Sequence, residues 1–418
     1  MRILYVTPYV PSLIRVRPYN LIRYLARRGH QVTVLALRSS AGELSDAEAL
    51  RREGVEVETV LLPRWQSLLN CLRALPSRIP LQAAYCWSTA LETRLRALMA
   101  EKQFDLVHVE HLRGAHFGAV AGGVPRVYDS VDCISLLFDR TRHESPRWTS
   151  RLMAQMELER TRWYESLLLA MYDTVLVTSR DDKIALERLS NQAKRERQAP
   201  VVVLTNGVDL DYFAPMDVPR EPESLVFSGK MSYHANVAAA LYLAQEIMPL
   251  VWARRPQATL TLVGKNPPMA IRALASDPRI RVTGYVPDIR PYLARATVAV
   301  SPIRYGVGVQ NKVLEAMAMA TPVVTTPQAC GALQVCEGEH LLVAEGADML
   351  AWQIERVLAD PPLAESLGRS GRRYVEVHHD WRVAAENLEQ IYQRAIEAFW
   401  AAREAQPAFQ RLAEPVKI

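Results

Sequence analysis

Residues 297–326 read TVAVSPIRYGVGVQNKVLEAMAMATPVVTT. An apolar run, 297–300, ends in Ser301-Pro302; a loop then carries Gly306 and Gly308, a helical run follows, and Thr321-Pro322 opens a further strand at 323–325. The loop therefore sits between the carboxyl end of a strand and the amino end of a helix. Glycines there let backbone amides approach a ligand closely, and the helix dipole adds about half a positive charge, which suits a phosphate. Lys312 supplies a full charge in the helix's first turn, and Glu315, one turn on, offers a carboxylate that can accept two hydroxyls of a ribose. Together they describe a pocket for a sugar nucleotide. Strand, glycine loop and helix recur in any parallel α/β protein, and Glu315 taken alone is equally a solvated helix residue.

Working outward, a chain of 418 residues is too long for one core and suggests two domains. Its 49% hydrophobic and 23% charged residues are ordinary for a soluble globular protein, and no apolar run is long enough to span a membrane. The amino terminus, MRILYVTPYVPS, reads as a first strand and is too short in its apolar run for a signal peptide. Five scattered cysteines form no CxxC pair, which points to a reducing cytoplasm and no structural zinc. Residues 1–220 hold 30 Lys+Arg against 25 Asp+Glu, so the whole excess of the net +5 lies in the first half. That bias offers a peripheral contact with anionic lipid head groups on the inner face of a membrane, or simply a solvated Arg-rich surface. Lysine is rare, 7 against 43 arginines, and Lys230, Lys265 and Lys312 all follow expected strands of the second half.

Short apolar strands alternate with amphipathic helices throughout, which predicts parallel sheets covered on both faces. Strands are expected at 2–6, 31–37, 55–62, 105–109, 126–129, 174–178 and 201–204, then at 224–228, 259–263, 280–282, 298–301, 323–325 and 341–343. The longest helix of the first half is expected at 150–171, and a last one from 381 to about 405. Periodicity stops over 206–223, where Pro215, Pro219 and Pro222 mark a linker. Domains are accordingly expected at 1–212 and 213–380, with 381–418 forming a terminal helix and tail.

The motif at 297–326, with Leu314-Glu315-Ala316-Met317-Ala318 and Pro322-Val323-Val324, resembles the nucleotide-binding segment of glycosyltransferases with two facing Rossmann-like domains, the GT-B fold, and within them the large retaining family 4. The resemblance implies a cleft between the domains, an acceptor site in the first, a donor site in the second, and a last helix that crosses back to the first. Ser228-Gly229-Lys230 matches the family's glycine turn with a cation, which makes Gly229 and Lys230 diphosphate ligands, with Asn236 near the place of a second cation. Val263-Gly264-Lys265 closes the next strand in the same manner. Gly284-Tyr285-Val286-Pro287-Asp288 resembles the base-binding turn, with backbone groups near Val286 meeting the nucleobase. Thr205-Asn206-Gly207-Val208-Asp209 resembles the interdomain segment, Asp209 bracing the turn.

The chain also departs from the pattern. Val307 stands where the family commonly has a glutamate that contacts the transferred sugar; a subset has instead a Gly-x-Gly loop followed by Lys, as at Gly306 to Lys312, in which Tyr305, Asn311 and Lys312 serve the sugar and phosphates. No glycine precedes Gly29, which argues against a nicotinamide or flavin site at the first βα turn. Arg15 and Arg17 in that loop either approach acceptor or diphosphate or are surface charges. Glu110, His111, Asp129 and Asp132 fall at strand ends, with Val131 where the family often has His. Asp132 is the group to orient the acceptor hydroxyl or take its proton, with Asp129 or His111 as substitutes.

The resemblance implies transfer with retention in which the leaving phosphate acts as base, so the protein stabilises a departing diphosphate through Lys230, Lys312 and helix amides. No cofactor and no metal are expected beyond the nucleoside diphosphate-sugar, and no nucleic acid partner; a saccharide or lipid-linked acceptor is expected. Two rivals remain: a sugar-nucleotide epimerase on the same fold, and a catalytically silent partner that binds sugar nucleotide or membrane.

Overall fold

Strand β1 (Arg2–Thr7) runs RILYVT, and every residue from Ile3 to Thr7 is buried. A strand buried on both faces belongs inside a parallel sheet covered by helices, and the computed structural model places it there. The structure describes residues 1–144, 148–194, 197–305, 310–331 and 333–405. The chain divides into two compact units, Met1–Thr205 with Ala384–Ile418, and Asn206–Val383.

The first unit is built on β1, β2 (Gln31–Arg38), β3 (Glu56–Leu61), β4 (Leu106–Glu110), β5 (Arg126–Val131), β6 (Thr174–Val177) and β7 (Val201–Val203), in the order β3-β2-β1-β4-β5-β6-β7. All of these pair in parallel. Strand order turns back between β1 and β4, which pair with Ile3 opposite Leu106 and Val6 opposite Val109. Helix Thr89–Glu101 is started by Ser88, whose Oγ accepts the Leu91 N–H at 3.3 Å, and it buries Leu91, Leu95 and Leu98 into the core beside Val107 and Val109. Each such leucine, fully removed from water, contributes about 2 kcal/mol. The long helix expected at 150–171 spans Trp148–Met171.

The second unit carries β8 (Ser224–Ser228), β9 (Thr259–Val263), β10 (Ile280–Gly284), β11 (Val298–Ser301), β12 (Val323–Thr325) and β13 (Leu342–Val343), in the order β10-β9-β8-β11-β12-β13, again parallel. Here the order turns back between β8 and β11, with Leu225 opposite Val298 and Val226 opposite Ala299. Helix Asn311–Ala318 buries Val313, Leu314, Ala316, Met317 and Ala318. Each expected strand is present, with its ends moved by two residues or fewer.

The dividing points differ from those read off the sequence. Residues 206–212 are counted with the second unit: the Val208 N–H donates to the His379 carbonyl at 2.7 Å, and the His379 ring sits 2.9 Å from the Asn206 carbonyl through Nδ1. Asp209 does brace its turn, its Oδ1 accepting the N–H groups of Asp211 and Tyr212 at 3.2 and 3.1 Å. The last helix, Trp381–Glu404, begins in the second unit and is counted with the first from Ala384 onward. There the Tyr392 hydroxyl lies 2.8 Å from His108 Nδ1, and Leu388 and Tyr392 are fully buried.

Candidate functional site

In an open parallel sheet, the chains leaving two neighbouring strands at the point of reversal go to opposite faces and leave a crevice at the strands' carboxyl ends. In the second unit those strands are β8 and β11. β8 leaves through Gly229 and Lys230, and β11 leads through Tyr305 to helix Asn311–Ala318. Gly306, Val307 and Gly308 lie outside the described residues.

Three turns are bound together here. The Gly229 N–H donates to the Val263 carbonyl at 3.0 Å, the Gly264 N–H to the Gly284 carbonyl at 3.2 Å, and the Met231 N–H to the Lys265 carbonyl at 3.1 Å. Gly229 and Gly264 have φ of 154° and 156°, a conformation that L side chains rarely adopt. A Cβ on Gly229 would stand 2.8 Å from Asn236 Nδ2 and 3.3 Å from Lys312 Cε, so those two side chains meet over the glycine.

Asn236 is buried; its Nδ2 donates to the Lys230 carbonyl at 3.1 Å, and its Oδ1 has no partner among the described residues. A buried acceptor left unpaired costs about 1–3 kcal/mol, and it suits a hydroxyl donor rather than a phosphate oxygen. Lys312 is half-buried in the helix's first turn, with Nζ 3.1 Å from Gln310 Oε1 and 5.9 Å from the centre of the Phe227 ring. Burial pulls its ammonium down to about 8, opposed by Glu315. Burial likewise pushes the Glu315 carboxyl up to about 7, opposed by Lys312. Lys230 presents an exposed side chain from the same turn as Gly229.

Asn311 accepts the Asn206 amide N–H at 3.5 Å. The Tyr305 ring is buried and stacks on His234 with centroids 5.5 Å apart, its hydroxyl 3.1 Å from His234 Nδ1. His234 opens the helix after Gly229 and Lys230 and went unnoticed in the sequence; its place at the start of that helix is the available signal. Val286 follows β10, two strands from β8, and its side chain packs on the core.

In the first unit the corresponding ends are those of β1, β4 and β5. Glu110 closes β4 in a buried position, its two oxygens taking the Tyr5 hydroxyl at 3.3 Å and the Tyr9 hydroxyl at 2.8 Å. Burial, and then Asp129, push this carboxyl up to about 8. His111 follows with φ of 63°. Its Nδ1 accepts the Arg113 N–H at 3.2 Å, and burial, then Arg113, pull the ring down to about 3. The imidazole is thus neutral at working pH, and the bond to Nδ1 assigns its proton to Nε2. In that state Nε2 can donate a hydrogen bond, and no ring nitrogen is left to act as a base.

Val131 ends β5 with φ of 67°, a left-handed conformation that costs a β-branched residue on the order of 1–3 kcal/mol. Two bonds hold it: its N–H to Asp129 Oδ1 at 3.1 Å, and its carbonyl to the Thr178 N–H at 2.8 Å. Asp132, next in sequence, accepts the Thr178 hydroxyl at 3.1 Å. Burial, then Asp182, push its carboxyl up to about 7.

Two expectations are corrected here. Arg17 is neither a surface charge nor open to a ligand: its Nε lies 2.8 Å from Asp129 Oδ2 with both side chains buried, and its Nη1 donates to the Leu204 carbonyl at 3.0 Å. Asp129 is consequently committed to an ion pair and does not substitute for Asp132. Arg15 is likewise tied to its own loop, over the Tyr9 ring at 4.2 Å, donating to the Val10 carbonyl at 2.9 Å and paired with Glu43 at 3.4 Å.

Among the described residues no group of three or more His, Cys, Asp or Glu is placed to hold a metal ion, and no helix is long and apolar enough to cross a membrane. All five cysteines are free.

The two-sheet architecture agrees with what the chain is similar to. Residues 14–207 match the family model described as glycosyl transferase 4-like domain, and residues 222–360 match the one described as glycosyl transferases group 1. The glycogen synthase of Mycobacterium tuberculosis is 25% identical over 312 residues, which is 72% of this chain and 71% of the relative. Among solved structures, sucrose-phosphate synthase from Thermosynechococcus elongatus superposes with a TM-score of 0.67 at 18% identity, covering 95% of this chain and 100% of that one. The HepE protein of Anabaena in complex with UDP-glucose gives 0.66 at 15% identity, covering 94% and 100%. The chain belongs to the glycosyltransferases of the GT-B fold.

Proposed function

We propose that this glycosyltransferase moves a sugar from a nucleoside diphosphate-sugar to a saccharide or lipid-linked acceptor, with retention of configuration and without a metal or further cofactor. The observation that carries the reading is the meeting of Gly229, Asn236 and Lys312 at the β8–β11 reversal, with Glu315 one turn along the same helix. The diphosphate lies against the Gly229 turn and the helix amino end, neutralised by Lys312 and Lys230. Glu315 accepts ribose hydroxyls, and Asn236 Oδ1 gains the donor it lacks. That the HepE structure holds UDP-glucose on the same fold supports a nucleotide-sugar donor.

In the reaction the bond from the sugar's anomeric carbon to the diphosphate oxygen breaks, the acceptor oxygen bonds to that carbon from the same face, and the acceptor proton passes to the leaving phosphate. The protein's part is electrostatic: charges already in place for the departing diphosphate. The first unit supplies the acceptor side, Asp132 orienting the hydroxyl and His111 donating from Nε2.

The test is a titration with UDP-, GDP- and ADP-sugars, followed by thermal stability and by release of nucleoside diphosphate, with Lys312→Ala and Glu315→Ala alongside. Stabilisation by one nucleotide, lost in both variants, with product of unchanged anomeric configuration and turnover unaffected by chelator, is expected. No stabilisation by any donor sinks the reading; binding without turnover makes the protein a silent partner instead.

A further inference from the structure

Two helices of the first unit turn large apolar side chains to solvent. On helix Arg64–Ala74 and the residue after it, Trp65, Leu68, Leu72 and Leu75 are spaced by three, four and three, and so share a face. Trp65, Leu68 and Leu72 expose 67%, 61% and 63% of their surface. Trp148, Leu152, Met153 and Met156 do the same on helix Trp148–Met171, while Ala154 and Leu158 face inward. The two stripes are neighbours: the Arg160 guanidinium donates to the Leu75 carbonyl, and Glu157 accepts the Leu81 N–H at 2.8 Å. Scattered apolar residues are normal on a surface, whereas two adjoining stripes of this kind mark something that covers them.

Charge says what that is. From Glu58 to Glu92 the sequence contains no acidic residue between the two, and it places Arg64, Arg73 and Arg78 there, all exposed. Arg151, also exposed, accompanies the second stripe. Of the acids on the long helix near it, Glu157 is buried and Glu159 is paired with Arg162 at 2.8 Å. A basic rim around tryptophan, leucine and methionine is the composition of a helix lying in a lipid interface, apolar side chains among the acyl ends and guanidinium groups at the phosphates.

We propose that these two helices form a docking face for the surface of an anionic bilayer. The face stands on its own exposure and charge and does not depend on the donor site proposed above.

Vesicle flotation of the full chain tests it, with phosphatidylcholine vesicles made with and without phosphatidylglycerol. Binding to the mixed vesicles is expected, weakening as salt is raised. Because they are exposed, Trp65 and Leu72 can be replaced without opening the core; Trp65→Ser with Leu72→Ser is expected to keep the melting temperature and lower vesicle affinity about tenfold or more. Arg73→Glu with Arg78→Glu is expected to remove the preference for phosphatidylglycerol. Absence of binding by the parent chain overturns the proposal, as does equal binding by the apolar variant. A concentration-dependent dimer abolished by Trp65→Ser with Leu72→Ser also overturns it, assigning the face to a second copy.

Discussion

The carbonyl oxygen of Gly229 occupies the space that a side chain on Gly264 would need: a Cβ built there stands 1.7 Å from it. The contact joins the turns after β8 and β9 and sets the depth of the floor on which the diphosphate is proposed to lie. Gly264→Ala meets both this clash, with backbone on the other side, and an unfavourable φ of 156°. It is expected to cost the second unit about 3 kcal/mol or more, read as a lower urea midpoint. Gly122→Ala, at a position with nothing within 4 Å, is the control and should leave the midpoint in place.

Glu315 and Lys312 make a statement about pH. The Glu315 carboxyl is raised from 4.5 to about 7, so between those values the unfolded chain has lost a proton that the folded chain keeps. Stability therefore falls as pH rises through that window, by on the order of 1–3 kcal/mol. Glu315→Gln should flatten the slope between those pH values in urea titrations of the second unit; an unchanged slope would show that Glu315 carries no such penalty.

Lys312 runs the other way. Its ammonium is lowered to about 8, so near that pH a fraction of the sites is neutral. A bound diphosphate restores the charge, and binding should take up protons at pH 8 to 9, seen calorimetrically as a heat that differs between buffers of different ionisation enthalpy. Lys312→Met should remove the difference.

Arg17→Met leaves the Asp129 carboxylate buried beside an apolar chain. Breaking such a pair costs about 3–5 kcal/mol, and the first unit's unfolding transition should move accordingly. The double variant Arg17→Met with Asp129→Asn should recover part of the loss, because no charge is then stranded. Full additivity of the two single losses would count against the pair.

For Asp132 the expected readout is kinetic. Asp132→Asn should leave donor affinity intact and lower kcat/KM about 100-fold. With the Asp132 carboxyl at about 7, the parent's rate should rise through that pH, and the rise should vanish in the variant. A variant of normal rate would remove Asp132 from the acceptor site.

The strands were legible because burial on both faces writes itself as short apolar runs, and the mutual electrostatic influence of Lys312 and Glu315 because both sit on one helix, three residues apart. Partners set by sheet order were not. Arg17 meets Asp129 112 residues away only because β1, β4 and β5 are neighbours. The same adjacency aims Tyr5 at Glu110 and stacks its ring on His108 with centroids 4.0 Å apart. Nor does residue type announce backbone hand: His111 and Val131 both take left-handed conformations that would be assigned to glycine. The resemblance assigns Tyr305 polar work, but its stacking on His234 depends on β8 and β11 lying side by side.

The last helix has a consequence for how the chain is made. Residues 1–205 leave the ribosome first, yet the ring of His108 waits for the hydroxyl of Tyr392, and Arg28 waits for Glu389, which lies 2.6 Å from it in the finished protein. The half that is synthesised first is completed last. Until translation has passed those residues, His108 stands without its tyrosine, and a nascent chain stalled in the second half carries a first half whose closing helix has yet to arrive.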